Sequence, residues 1–210
     1  MNWRLVVPVG VAFVAVVGFF YWQRISVTPE VEPAPVAKPV PKKEPSPTLS
    51  RMGLTILETT TPQADEWLVA HGLECTTVGP TKRGLMLREC YGIPEGLFAG
   101  RTSDAGAALT LSFASDGKLQ KVQVVSTYDD VSEAIAAYQA ALPPITESFG
   151  PPTAQVGQET PENVLQKRMA RVSSTWRYED LNAGLVLMRA THASIRLVES
   201  WGAVEPARER

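Results

Sequence analysis

Leu109-Thr-Leu-Ser-Phe-Ala-Ser-Asp-Gly-Lys-Leu-Gln-Lys-Val-Gln-Val-Val125 reads as a β-hairpin. Leu109, Leu111 and Phe113 alternate with Thr110 and Ser112, the period of a half-buried strand. Ser115-Asp116-Gly117 is the turn, and Asp-Gly between apolar runs is a strong short-range hairpin signal. Leu119, Val122 and Val124 lie on the return strand, with Val125 on its other face. From Asp130 the period changes. Val131, Ile135, Tyr138, Leu142, Ile145 and Phe149 recur at four and three residues, one face of a helix. Asp130 is a good N-cap, and Glu133 completes a capping-box-like pair. Pro143-Pro144 interrupts the stripe without shifting its phase, which predicts one kinked helix or two stacked segments laid on a sheet. Gly150 and Pro151-Pro152 end it.

Working outward, Thr61 is an N-cap candidate and Pro62 suits the first helical position. Asp65 and Glu66 favour the positive end of that helix, Trp67 and Leu68 supply its buried face, and Gly72 stops it. Residues 153–171 read as a polar loop with one helical turn from Pro161. Ser174 to Tyr178, Leu185 to Arg189 and Ser194 to Glu199 read as strands, with turns at Asn182-Ala183-Gly184 and Thr191-His192-Ala193. The whole predicts an α+β domain over residues 51–201, helices packed on antiparallel β-meanders, either as one body or as two α-plus-β units in tandem (51–126 and 127–201). Residues 202–210 read as a flexible tail.

The N-terminal quarter has a different character. After a four-residue tail, Leu5 to Trp22 is an 18-residue run without a charged side chain. As a helix it spans about 27 Å, close to the hydrocarbon core of a bilayer. Trp3, Tyr21 and Trp22 stand at its ends as interfacial aromatics do. The run is longer than the apolar part of a signal peptide, and Pro29 follows the nearest small-x-small site, Ser26-Val27-Thr28, so an uncleaved transmembrane helix is expected. Residues 23–50 form a spacer with seven prolines between Pro29 and Pro47. Proline at that density favours extended polyproline II, and residues 28–50 reach about 70 Å in that form. Arg4 favours an N-terminus in the cytoplasm; Arg24, Lys38, Lys42 and Lys43 oppose it.

Cys75 and Cys90 lie symmetrically about Lys82-Arg83, and Pro80 to Gly84 is turn-like. Two antiparallel strands leaving that turn place the cysteines opposite each other, and an oxidising compartment closes them as a disulfide. Two free buried thiols or a redox pair are the alternatives. A disulfide tips the orientation toward a periplasmic C-terminal domain on the bacterial inner membrane.

The helix ending Phe149-Gly150-Pro151-Pro152, followed by Trp176-Arg177-Tyr178 opening a hairpin, resembles the small outer-membrane-assembly lipoproteins of the SmpA/OmlA type. It is also similar to the β-lactamase-inhibitor-protein fold built from two helix-plus-meander units. Those resemblances imply non-enzymatic protein–protein contact. The chain departs from the lipoproteins in having a transmembrane segment and no lipidation cysteine. The Glu-Pro-Ala-Pro and Lys-Pro-Val-Pro-Lys-Lys phrases are similar in composition to the spacer of TonB-type energy transducers.

Chemistry is sparse. Residues 51–210 carry 15 basic and 19 acidic residues with no basic run, which argues against nucleic acid. Of the two histidines, His71 stands at a helix end and His192 in a turn, and neither shares metal-ligand spacing with the cysteines. Asp129-Asp130 reads better as a helix cap than as a pair of catalytic carboxylates. The expectation is a membrane-anchored interaction or assembly module with no catalytic residue, cofactor or metal and an envelope protein as partner. The alternatives are an envelope enzyme, a small-ligand-binding domain, or a TonB-like adaptor.

Overall fold

The computed structural model describes residues 44–94, 96–99, 106–165, 171–191 and 194–204, all within the compact unit Lys42–Arg210. The transmembrane segment with Trp3, Tyr21 and Trp22, most of the spacer, His192 and the last six residues lie outside them. No helix among the described residues is long and apolar enough to cross a membrane.

The domain is α+β and mostly sheet. A small hairpin, β1 (Ser50–Arg51) and β2 (Leu54–Thr55), leads into helix α1 (Thr61–Ala70). Four strands follow: β3 (Cys75–Val78), β4 (Met86–Tyr91), β5 (Ala108–Phe113) and β6 (Leu119–Tyr128). Helix α2 (Val131–Phe149) comes next, then β7 (Ala154–Val156), the short helix α3 (Pro161–Leu165), β8 (Arg171–Arg177), β9 (Leu181–Arg189) and β10 (Ile195–Ala203). All strands from β3 onward join one antiparallel sheet in the order β3-β4-β5-β6-β10-β9-β8-β7. The order reads alike from both edges, with β6 against β10 in the middle.

The hairpin around Gly117 forms as read, with Leu109, Leu111, Phe113, Leu119, Val122 and Val124 buried. A register shift at Ser112/Phe113 brings Leu119 and Val122 to the same face despite their odd spacing. Helix α2 runs unbroken through Pro143-Pro144 and buries Ile135, Tyr138, Ile145 and Phe149. The Asp130 carboxylate accepts the amides of Ser132 and Glu133 at 2.7 and 2.9 Å. An Asp130→Ala variant should therefore lose about 1 kcal/mol of stability in a urea titration.

Several local readings shift. The α1 cap is Thr60, one residue before Thr61, because the side chain of Gln63 reaches back to the Thr60 amide. Asp65 lies past the first turn and pairs with Arg88 at 2.9 Å instead of serving the helix dipole. Asn182-Ala183-Gly184 is not a turn: these residues sit in β9, paired with Gly202, Trp201 and Ser200. The turn falls at Glu179-Asp180, closed by the Tyr178 amide donating to the Leu181 carbonyl. The 153–171 segment contains β7, a strand too short and polar to show a period.

Cys75 and Cys90 face each other in register and form a disulfide across β3 and β4. The bond closes a loop with a sequence separation of 15 residues. Reduction should lower unfolding free energy by about 3 kcal/mol, read as a drop in urea midpoint with reductant that a Cys75→Ser/Cys90→Ser variant does not show.

Residues 44–57 are stitched to both halves of the sheet. The Glu179 amide donates to the Glu44 carbonyl, and Ser46 donates its amide and hydroxyl to Asp180. Leu54 and Ile56 enter the core, and the Leu57 amide donates to the Leu119 carbonyl.

Candidate functional site

Each helix, and the N-terminal hairpin, touches the same face of the sheet. Asp65 of α1 pairs with Arg88 of β4, and Tyr138 of α2 shares a 2.8 Å hydrogen bond with Ser174 of β8. The Leu165 carbonyl of α3 accepts from Arg189 of β9, and Arg51 of β1 pairs with Glu199 of β10. Strand pairing places Arg88, Ser174, Arg189 and Glu199 on one face, with Leu109, Leu111, Val124, Leu185, Leu187 and Leu197. That face is the core.

The opposite face receives no hydrogen bond or ion pair from a helix or from β1–β2 among the described residues. Its side chains follow from the same register. Tyr91 lies beside Ala108, Ala108 beside Val125, and Val125 beside Val198. Val198 lies beside Val186, Val186 beside Ser173, and Ser173 beside Val156. These seven residues form a single cross-strand row from β4 to β7. At about 4.8 Å per strand its ends are about 29 Å apart. Tyr91 and Val156, at those ends, are 64% and 50% exposed. Val78, on the same face of β3, is also an exposed apolar side chain.

The row is flanked by mainly polar residues, with Met188 the apolar member of one flank. On one side Thr127, Arg196, Met188 and Arg171 lie beside one another across β6, β10, β9 and β8. On the other stand Glu89, Thr110, Gln123, Ser200, Gly184 and Thr175. The sheet edges are less inviting than the face. β3 has four residues and is held by the disulfide; β7 has three and follows Pro151-Pro152. Short edge strands disfavour the addition of another strand.

Of the residues weighed for chemistry, His71 and Asp130 have structural partners, and His192 lies outside the described residues. The His71 ring Nδ1 lies 2.7 Å from the Trp67 carbonyl, and its ring stacks on Trp67 with centroids 4.2 Å apart. Asp130 caps α2. The cleft beside it, about 170 Å³, is lined by Asp129, Asp130, Arg189, Thr191 and Ser194 among others. Arg189 there donates to the Leu165 and Thr191 carbonyls at 2.8 and 3.1 Å, so its fork holds backbone together. Burial pushes the Tyr138 phenol above its ordinary range, with the Ser174 bond opposing and Glu159 adding to the rise. Trp176 donates its indole N–H to the Gly150 carbonyl at 2.7 Å, and Tyr178 donates its hydroxyl to the Phe149 carbonyl. No group of three or more His, Cys, Asp or Glu among the described residues is arranged to hold a metal ion.

The uncovered row was not singled out from the sequence. Its signal is the failure of clean alternation in β9 and β10: Leu185-Val186-Leu187-Met188 and Leu197-Val198 place apolar side chains on both faces, the habit of strands covered on both sides. No family model, curated protein or solved structure matches this chain.

Proposed function

We propose that this chain is a single-pass inner-membrane protein whose periplasmic domain is a non-catalytic interaction or assembly module, with an envelope protein docking on the uncovered sheet face. The observation that carries this reading is the row from Tyr91 to Val156, apolar except at Ser173, on a face to which no helix makes a hydrogen bond or ion pair among the described residues. A sheet with apolar side chains on both faces and helices on one has an unfilled side. Support for a non-catalytic role comes from two polar groups lining the cleft: Asp130 is taken up in a helix cap and Arg189 donates to two backbone carbonyls. The membrane assignment rests on Leu5–Trp22 and the proline-rich spacer. Two helix-plus-meander units in tandem fit the strand order, since α1 precedes β3–β6 and α2 precedes β7–β10.

The test is cross-linking and affinity capture of the full chain in its own membrane, beside a chain ending before Glu44. A partner recovered with the full chain and lost with the short one supports the module. Equal recovery from both, or no partner from a well-folded full chain, rejects it.

A further inference from the structure

Charge is segregated across the domain. Helices α1, α2 and α3 contain Asp65, Glu66, Glu133, Glu147 and Glu162 and no lysine or arginine. The uncovered sheet face is the reverse. Strand register places Lys121, Arg171, Arg177 and Arg196 on it, all exposed, against the single acid Glu89 among the described strand residues. A chain whose net charge is −2 thus presents a positive face. Its apolar row runs through that face, with Arg171 and Arg196 adjoining it on one flank.

We infer that this face takes an acidic segment of a partner protein, its apolar residues seated on the Tyr91–Val156 row and its carboxylates against Arg171 and Arg196. The inference rests on the interaction-module reading above and gives the partner its chemistry. Complementary potential raises the encounter rate and makes it sensitive to salt, while desolvated apolar contact holds the complex. A protein segment fits better than a lipid surface, because the apolar surface along the row is narrow, widened at Met188, and bordered mainly by polar residues. It also fits better than a second copy. Helix layer against sheet face is a head-to-tail contact between different surfaces, which propagates as an open filament unless a rotation closes it.

The test is site-specific photo-cross-linking in the full-length chain in its own membrane. Benzoylphenylalanine replaces Val186 near the row's centre, Tyr91 at its end, or Glu66 on the helix layer, and captured peptides are sequenced by mass spectrometry. The expected result is one acidic segment captured from the row positions and not from position 66. Arg171→Glu/Arg196→Glu should reduce that capture at least about tenfold, and Arg171→Gln/Arg196→Gln by less. Capture of lipid, of a second copy, or of a neutral or basic segment overturns the inference. So does capture that survives charge reversal. Capture from position 66 alone overturns it together with the sheet face as docking site, while leaving a non-catalytic interaction module standing; no capture at any position brings down both.

Discussion

Arg51→Met is expected to lower the unfolding free energy by about 3–5 kcal/mol, while Arg51→Met/Glu199→Leu should recover all but about 1 kcal/mol of that loss. Glu199 sits on β10, between β6 and β9, and is 2% exposed. Its neighbours across the strands are Val124 and Leu185. A carboxylate in that setting has lost its hydration, and the Arg51 guanidinium, itself buried, forms its ion pair. The same guanidinium lies 5.1 Å over the Trp201 ring, a cation–π contact that further offsets its desolvation. Removing the arginine alone leaves a charge in the core without its counter-ion. Removing both leaves two apolar side chains of similar bulk among apolar neighbours, which is why the double variant recovers. Urea unfolding followed by tryptophan fluorescence reads the cycle. Equal losses for single and double variants would mean that side-chain packing, not charge, dominates at this site.

The pair fastens the start of the domain to its interior. Arg51 follows the spacer, and Glu199 is on a central strand. With the Glu44 and Ser46 contacts to Glu179 and Asp180, it fixes the end of the spacer to the middle of the sheet and not to a fraying edge. The two charges are far apart in sequence, and neither lies in a pattern that names a partner. Glu199 reads simply as the end of a strand, and residues 44–50 read as part of the spacer.

What was legible follows the range of the interactions. Asp116-Gly117 and the stripe from Val131 to Phe149 are local patterns, and both elements formed. The Cys75–Cys90 bridge was legible because a hairpin turn brings residues 15 apart into register. Asn182-Ala183-Gly184 misled because Asn and Gly favour turns, yet tertiary pairing on both sides of β9 overrides that preference. The uncovered row lay beyond local reading. It draws one residue from each of seven strands, and such a row exists only once the strand order is known. The charge segregation was hidden for the same reason: Arg171 and Arg196 are adjacent to the row only through pairing, and a count over the chain averages them against the helix acids.

Trp176→Ala should lower the unfolding free energy by about 3–5 kcal/mol, and Trp176→Phe by about 1–2. The indole is fully buried between sheet and helix and carries two separable roles. One is volume: alanine leaves a cavity that the fixed ends of α2 and β8 cannot close. The other is capping. A helix end leaves its last carbonyls without intrahelical donors, and these are commonly served by amides of the next two residues past the cap. Here those residues are Pro151 and Pro152, which have no N–H. The Trp176 indole and the Tyr178 hydroxyl supply the missing donors to Gly150 and Phe149. Phenylalanine at 176 keeps most of the volume and removes one donor, so it isolates the capping role. Tyr178→Phe removes the other with little change in shape. In Trp176→Phe/Tyr178→Phe the combined loss should exceed the sum of the two single-variant losses, because the helix end then has neither donor and proline offers no replacement. Strict additivity in that double variant would mean that water serves the carbonyls equally well, and the pairing of Phe-Gly-Pro-Pro with Trp-Arg-Tyr would then be one of packing alone.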